Sequence, residues 1–177
     1  MAQTYTPHSA LRTPHVSFIS VSTLLAAITG VPNACEPLPG LVTGGQPTAA
    51  HIAALRAAGC EAVVDLRDPM EPRSLNEPAE VQGAGMEYVN IPVSGATMTD
   101  ATLARVRDTV SNLVGDRQVF VHCGSGSRVG ATLIPYLMLD KGLGEEEAVE
   151  IAMSVGMRSA ELMEWALGYV KARKGKD

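Results

Sequence analysis

The chain has 177 residues, 46% hydrophobic and 19% charged, which suits one domain with a sizeable core and excludes disorder as its general state. Its formal net charge is −5 and no basic stripe runs along it, so no nucleic-acid partner is expected. Three cysteines, Cys35, Cys60 and Cys123, make no CxxC pair and leave one over in any disulfide scheme, which points to a reducing, cytoplasmic setting.

Residues 1–15 are polar, lack apolar periodicity and read as an unstructured head. The run VSFISVSTLLAAIT, 16–29, has the apolar character of an export signal, but its basic end is feeble and no clean cleavage site follows. It reads better as a short helix capped by Ser20 or Ser22, continuing to Ile28 and ended by Gly30 and Pro32. No stretch has the length of a membrane span, so no membrane partner is expected.

After Pro39 short apolar runs alternate with helical stretches. Residues 41–43 form a brief strand closed by Gly44 and Gly45. Thr48 caps a helix through Ala58 that Gly59 ends. Residues 62–66 (AVVDL) are a buried strand, 67–78 a proline-rich loop and 79–83 a short helix. The strand 87–93 (EYVNIPV) and the loop 94–99 follow. A helix opens at Thr99 or Asp100 and runs to Val114, with Leu103, Val106, Val110 and Leu113 on one face. Residues 118–122 (QVFVH) are the central strand, and helices over 129–141, 145–155 and 159–173 finish the chain. This predicts an α/β fold with a mostly parallel central sheet of about four strands flanked by helices. One domain spans 16–173, with a tail at 174–177.

The chemistry concentrates in VHCGSGSRVG, 121–130. Gly124 and Gly126 let the backbone curl so that its N–H groups converge on an anion, and the following helix adds its N-terminal dipole. Ser125 and Ser127 contribute hydroxyls, and Arg128 offers a planar fork for two oxygens of a phosphate or sulfate. Such surroundings favour a thiolate, so Cys123 is the expected nucleophile. His122 is expected to orient the loop through hydrogen bonds and not to act as a base. Asp65 and Arg67 either pair with each other or organise the cysteine loop; Gln46 either reaches the pocket or is a loop amide with a backbone partner. Cys60 fills a core gap, and Cys35, if near Cys123, would be a resolving thiol. The four histidines, His8, His15, His51 and His122, lack metal-ligand spacing, so no metal is expected, and no other cofactor.

The loop resembles the H-C-x5-R-[ST] signature of cysteine-dependent phosphatases, with one fewer residue between Cys123 and Arg128. The shorter spacing is similar to the C-R-S-G-T-R-S loop of the bacterial beta-lactamase-hydrolase-like phosphatase family, of the dual-specificity type. Gly45-Gln46-Pro47, the strand ending Asp65-Leu66-Arg67, and YVNIPVSG, 88–95, resemble that family's other motifs in the same order. The resemblance implies a protein-tyrosine-phosphatase-like fold and two-step hydrolysis of a phosphomonoester, on a small molecule or a phosphoprotein. Val129 stands where the family has a hydroxyl, Gly124 replaces a frequent arginine, and Ser94-Gly95 occupy the position of the acid that protonates the leaving group. Asp100 is the acid candidate, with a helix-start role as its alternative, and Asp68 and Glu71 are further candidates. Two other readings use the same loop: a rhodanese-type sulfurtransferase, opposed by the helical continuation after Arg128, and a non-catalytic anion-binding domain.

Overall fold

In the computed structural model, residues 22–175 are described; the head at 1–15, the first part of the 16–29 run, and 176–177 lie outside them. Three four-residue strands, β2 (Leu41–Gly44), β3 (Ala62–Asp65) and β5 (Val119–His122), are buried at every position. That is the signature of strands covered on both faces. With β1 (Cys35–Leu38) and β4 (Glu87–Asn90) they form one sheet of order β1-β2-β5-β3-β4. β1 pairs antiparallel with β2, and the other three pairings are parallel.

The fifth strand, β1, is the departure from the expected four. Its Pro37, with Pro39 and Gly40 just beyond, gives it the composition of a loop. Proline is tolerated there because β1 lies at the edge, where part of the backbone needs no ladder partner.

Period-two alternation along the strands sorts side chains onto two faces. Val64, Val119 and Val121 pack with α4 (Asp100–Leu113), α5 (Ser127–Pro135), α6 (Glu145–Ser154) and α7 (Ala160–Lys174). Val42, Val63 and Phe120 pack with α1 (Thr23–Ala27), α2 (Ala49–Ala57) and α3 (Glu77–Gly83). Side-chain caps open four of these helices: Ser22, Thr48, Thr99 and Ser159 each accept from a backbone N–H of the first turn. Among the described residues no helix is long and apolar enough to cross a membrane.

Two helices differ from expectation. α3 starts at Glu77, two residues earlier than 79, because Pro78 is compatible with a first turn and ends nothing. The helix expected over 129–141 begins at Ser127 and gives way after Pro135 to a π-helical turn, Tyr136–Asp140. Pro135 lacks an N–H and interrupts the regular ladder, and the π turn closes with the Lys141 N–H donating to the Tyr136 carbonyl five residues back.

Glycines let α5 run against α6. A Cβ at Gly130 would lie 2.4 Å from the Ala152 carbonyl oxygen and 2.9 Å from the Met157 Cβ. Gly130→Ala is therefore expected to cost about 1–3 kcal/mol through overpacking, read as a lower urea midpoint. An unchanged midpoint would contradict this contact.

Candidate active site

Parallel register puts Gly44 of β2, His122 of β5 and Asp65 of β3 side by side at the carboxyl ends of the three central strands. Beyond such ends ligands bind in open α/β sheets. Cys123 is the next residue, 1% exposed, and its N–H donates to the Gly44 carbonyl at 3.3 Å. Its Sγ accepts the Gly126 N–H at 3.1 Å, so one edge of the loop already faces the sulfur with a donor. Gly126 caps α5 at φ 93°, and a Cβ there would sit 2.2 Å from the Val155 carbonyl oxygen. Only glycine meets both demands.

The loop is braced from several directions. Asn33 Nδ2 donates to the Ser125 carbonyl at 2.7 Å, and the Gln46 N–H donates to the Gly124 carbonyl at 3.3 Å. The Arg158 N–H donates to Ser127 Oγ at 3.4 Å. Val129 is fully buried in the core. The Gln46 side chain takes neither role weighed for it and donates to Glu77 Oε2 at 3.4 Å, while its backbone N–H holds the loop.

Arg128, the second residue of α5, folds back over Gly124, whose notional Cβ would lie 3.4 Å from Nη2. Its Nη2 donates to Glu71 Oε2 at 2.9 Å, and its Nη1 to Glu71 Oε1 and, at 3.1 Å, to the Val93 carbonyl. The Glu71 hydrogen bonds raise the guanidinium pKa, against desolvation, and Cys123 adds to the rise. Reciprocally, the Arg128 hydrogen bonds hold the Glu71 carboxyl at about 2, well below its ordinary 4.5, despite partial burial. Arg67, 3% exposed, approaches the same carboxylate, its Nε 3.5 Å from Glu71 Oε2. A carboxylate therefore rests on the cation expected to hold a substrate oxyanion.

Asp65 and Arg67 do not form a side-chain pair. Asp65 accepts the Arg67 backbone N–H at 2.8 Å, the Tyr88 hydroxyl at 2.9 Å and Arg73 Nη1 at 2.5 Å. Burial and Asp65 push the Tyr88 pKa upward, which keeps the hydroxyl a donor. His122 lies fully buried beside Asp65, stacked on Phe120, with Nε2 2.5 Å from Glu77 Oε1. Asp65, Glu77 and His122 have the composition of a cation site. Arg73 and Tyr88 hold Asp65, whereas Glu77 Oε1 and His122 Nε2 face each other without making a hydrogen bond, each buried without a partner.

Asp100 is the first residue of α4, and its carboxylate bonds Arg173 of α7 at 3.2 Å. Among the described residues, no hydrogen bond or ion pair links it to the 123–128 loop, and its geometry is that of a helix-start acid. Asp68 accepts the Met70 N–H at 2.9 Å within its own loop. Cys35 lies 3.7 Å from Ser154 Oγ, on the far side of β2 from β5, and Cys60 is buried with its thiol pushed up to about 11 by desolvation. Glu77, Arg73, Tyr88 and Asn33 were not singled out in the sequence. Glu77 and Pro78 fall in the stretch read there as a proline-rich loop, and nothing in that pattern signals a buried carboxylate.

A profile of the family described as DSP-PTPase phosphatase fused to NAD+ kinase matches residues 36–164. The Beta-lactamase hydrolase-like protein of Agrobacterium fabrum is 34% identical over 92 residues, 50% of this chain and 21% of that protein. This chain thus spans about a fifth of that relative's length. A protein of Shewanella putrefaciens CN-32 described as a candidate phosphatase (DUF442) superposes with a TM-score of 0.72 at 21% identity, covering 84% of this chain and 97% of that one. P. aeruginosa TpbA, as a variant solved in complex with pTyr, superposes with a TM-score of 0.60 at 19% identity, covering 81% and 90%.

The Glu71 contact sets a pH test. A carboxyl depressed in the folded state contributes stability above its ordinary value and loses it as pH falls through the folded value. The stability gap between wild type and Glu71→Gln should stay constant down to about pH 4.5 and close towards about 2. Urea denaturation across that range reads it, and a gap unchanged at the acid end would sever Glu71 from Arg128.

Proposed function

The chain belongs to the family of DSP-PTPase phosphatases described as fused to NAD+ kinase, and from that membership we propose that it hydrolyses phosphomonoesters through a cysteinyl-phosphate at Cys123. The observation that carries this reading is the Gly126 N–H on the Cys123 sulfur, in a glycine loop at the start of α5 beside the Arg128 guanidinium. Donors already aimed at the reacting centre need no reorganisation when charge develops there.

In the first step Cys123 Sγ attacks phosphorus, the S–P bond forms, and the P–O bond to the leaving group breaks with its electrons. Arg128 and the N–H groups of the 124–127 segment bind the remaining phosphoryl oxygens. Water then attacks phosphorus, releasing inorganic phosphate and the thiolate. The arriving phosphate competes with Glu71 for Arg128. The reaction requires a free thiol, which suits a reducing, cytoplasmic location.

The leaving group sets the substrate class. Val93 and Ser94 border the site where an acid would stand, and the 94–99 loop contains none. Glu71 is held ionised by Arg128, and Asp100 is engaged by Arg173. A leaving group that departs without a proton is therefore favoured, and aryl phosphates, whether small molecules or phosphotyrosine in a protein, meet that need. The pTyr complex of TpbA supports the same class.

Turnover of p-nitrophenyl phosphate should exceed that of an alkyl phosphate by at least about tenfold, and Cys123→Ser should abolish both, a loss on the order of 10³-fold or more. Equal aryl and alkyl rates would sink the leaving-group argument. Thiosulfate:cyanide transfer without phosphatase activity would indicate a sulfurtransferase, and silence in both assays an anion-binding domain.

A further inference from the structure

Arg67 is a buried cation with unused donors. It is 3% exposed, and neither its Nε nor its Nη1 makes a hydrogen bond. Nη2 is engaged, donating to the Pro72 carbonyl. Among the described residues its one ion pair is with Glu71, whose Oε2 lies 3.5 Å from Nε, close enough to attract but not bonded. Buried guanidinium donors without acceptors are costly, so the position calls for an anion that the resting protein supplies only in part.

The same carboxylate oxygen accepts from Arg128 Nη2 at 2.9 Å, so Oε2 lies between two guanidinium groups. Glu71 Oε1 accepts from Arg128 Nη1 and, at 2.8 Å, from the Asp68 N–H. Two coplanar oxygens among two guanidinium groups and an N–H copy one edge of a bound phosphoryl group. Arg67 is fixed at its backbone, where its N–H donates to Asp65 at 2.8 Å and its carbonyl accepts Asn90 Nδ2 at 2.9 Å. Glu71 is free to leave: its side chain is 32% exposed, and its neighbour Met70 is 89% exposed.

We propose that Arg67 is a second phosphoryl-binding guanidinium, and that Glu71 holds the place of substrate oxygens until substrate arrives; this rests on the phosphatase reading above. A phosphate monoester carries about 1.5 to 2 negative charges at neutral pH against one on the carboxylate, which favours it over Glu71 on the two cations. When Glu71 turns out to solvent, Arg128 puts its fork on two phosphoryl oxygens, and Arg67 Nε and Nη1 gain the acceptor they lack. Transition-state charge spreads over three equatorial oxygens, more than one arginine fork covers. The site thus carries its own competitor, and its affinity for any oxyanion is reduced by the fraction of molecules in which Glu71 is seated.

Nitrogen-15 NMR of arginine side chains tests this on the wild-type protein: orthovanadate at saturation should shift the Arg67 Nε resonance along with that of Arg128. Glu71→Gln should tighten orthovanadate binding and lower the KM for p-nitrophenyl phosphate by about threefold or more, because the competitor loses its charge. Arg67→Gln should weaken vanadate binding on the order of 10-fold, and the loss should persist when Glu71→Gln is added. An Arg67 that only anchors Glu71 gives the opposite sign: tighter binding in Arg67→Gln, and no further effect once Glu71 is replaced. That result, weaker vanadate binding in Glu71→Gln, or an Arg67 resonance unmoved by vanadate would each overturn the proposal. If Arg67→Gln does not fold, the NMR shift and Glu71→Gln decide it. A wild type that shows the Arg67 shift but hydrolyses no phosphate ester fails the phosphatase reading alone; turnover with an unmoved Arg67 resonance fails this inference alone.

Discussion

Parallel pairing of β2, β5 and β3 in one register is the constraint on which the site depends. It brings Gly44, His122 and Asp65 into a single rung, each from a different segment of the chain. From that rung the backbone turns into the cysteine loop, and the alternation of a strand decides the rest. His122 must face α1–α3 and Cys123 the α4–α7 layer, so sulfur and imidazole work from opposite sides of the sheet. A slip of one residue would exchange them.

Charge is handled differently on the two sides. Behind the sheet, Asp65 has no exposure and is held by Arg73, the Tyr88 hydroxyl and the Arg67 N–H, which makes its geometry stiff. In front, Glu71 and Arg128 are partly exposed, and their fork can open. A binding site needs this division: fixed polar groups to hold the cradle's shape, and one exchangeable ion pair at its mouth. The same pairing keeps Arg128 extended across the loop when no oxyanion is bound, sparing it the entropy of an unrestrained side chain.

Much of this was legible in the sequence, because the relevant signals are local. Thr48 and Thr99 mark helix starts, the apolar runs at 62–66 and 118–122 mark central strands, and glycines around Cys123 mark a tight turn. What could not be read was pairing between distant segments. Glu71 looked like any loop acid until the fold brought it 57 positions along the chain to Arg128. Glu77 fell in a stretch that reads as a proline-rich loop and gave no sign of burial. β1 was hidden by its prolines, and the end of α5 at Pro135 was missed because a π turn has no periodicity of its own. Asp100, carried as an acid candidate, obeys a local rule that the structure also follows, with Arg173 of α7 on its carboxylate.

The proline in β1 has a consequence for association. An edge strand with regular donors and acceptors invites another strand to join it. β1 is four residues long, irregular in its pairing with β2, and missing one N–H at Pro37. A neighbouring polypeptide would find too few bonds there to extend the sheet. This unit can therefore be carried within a much longer protein, as in its Agrobacterium relative, without that edge recruiting strands from whatever lies beside it.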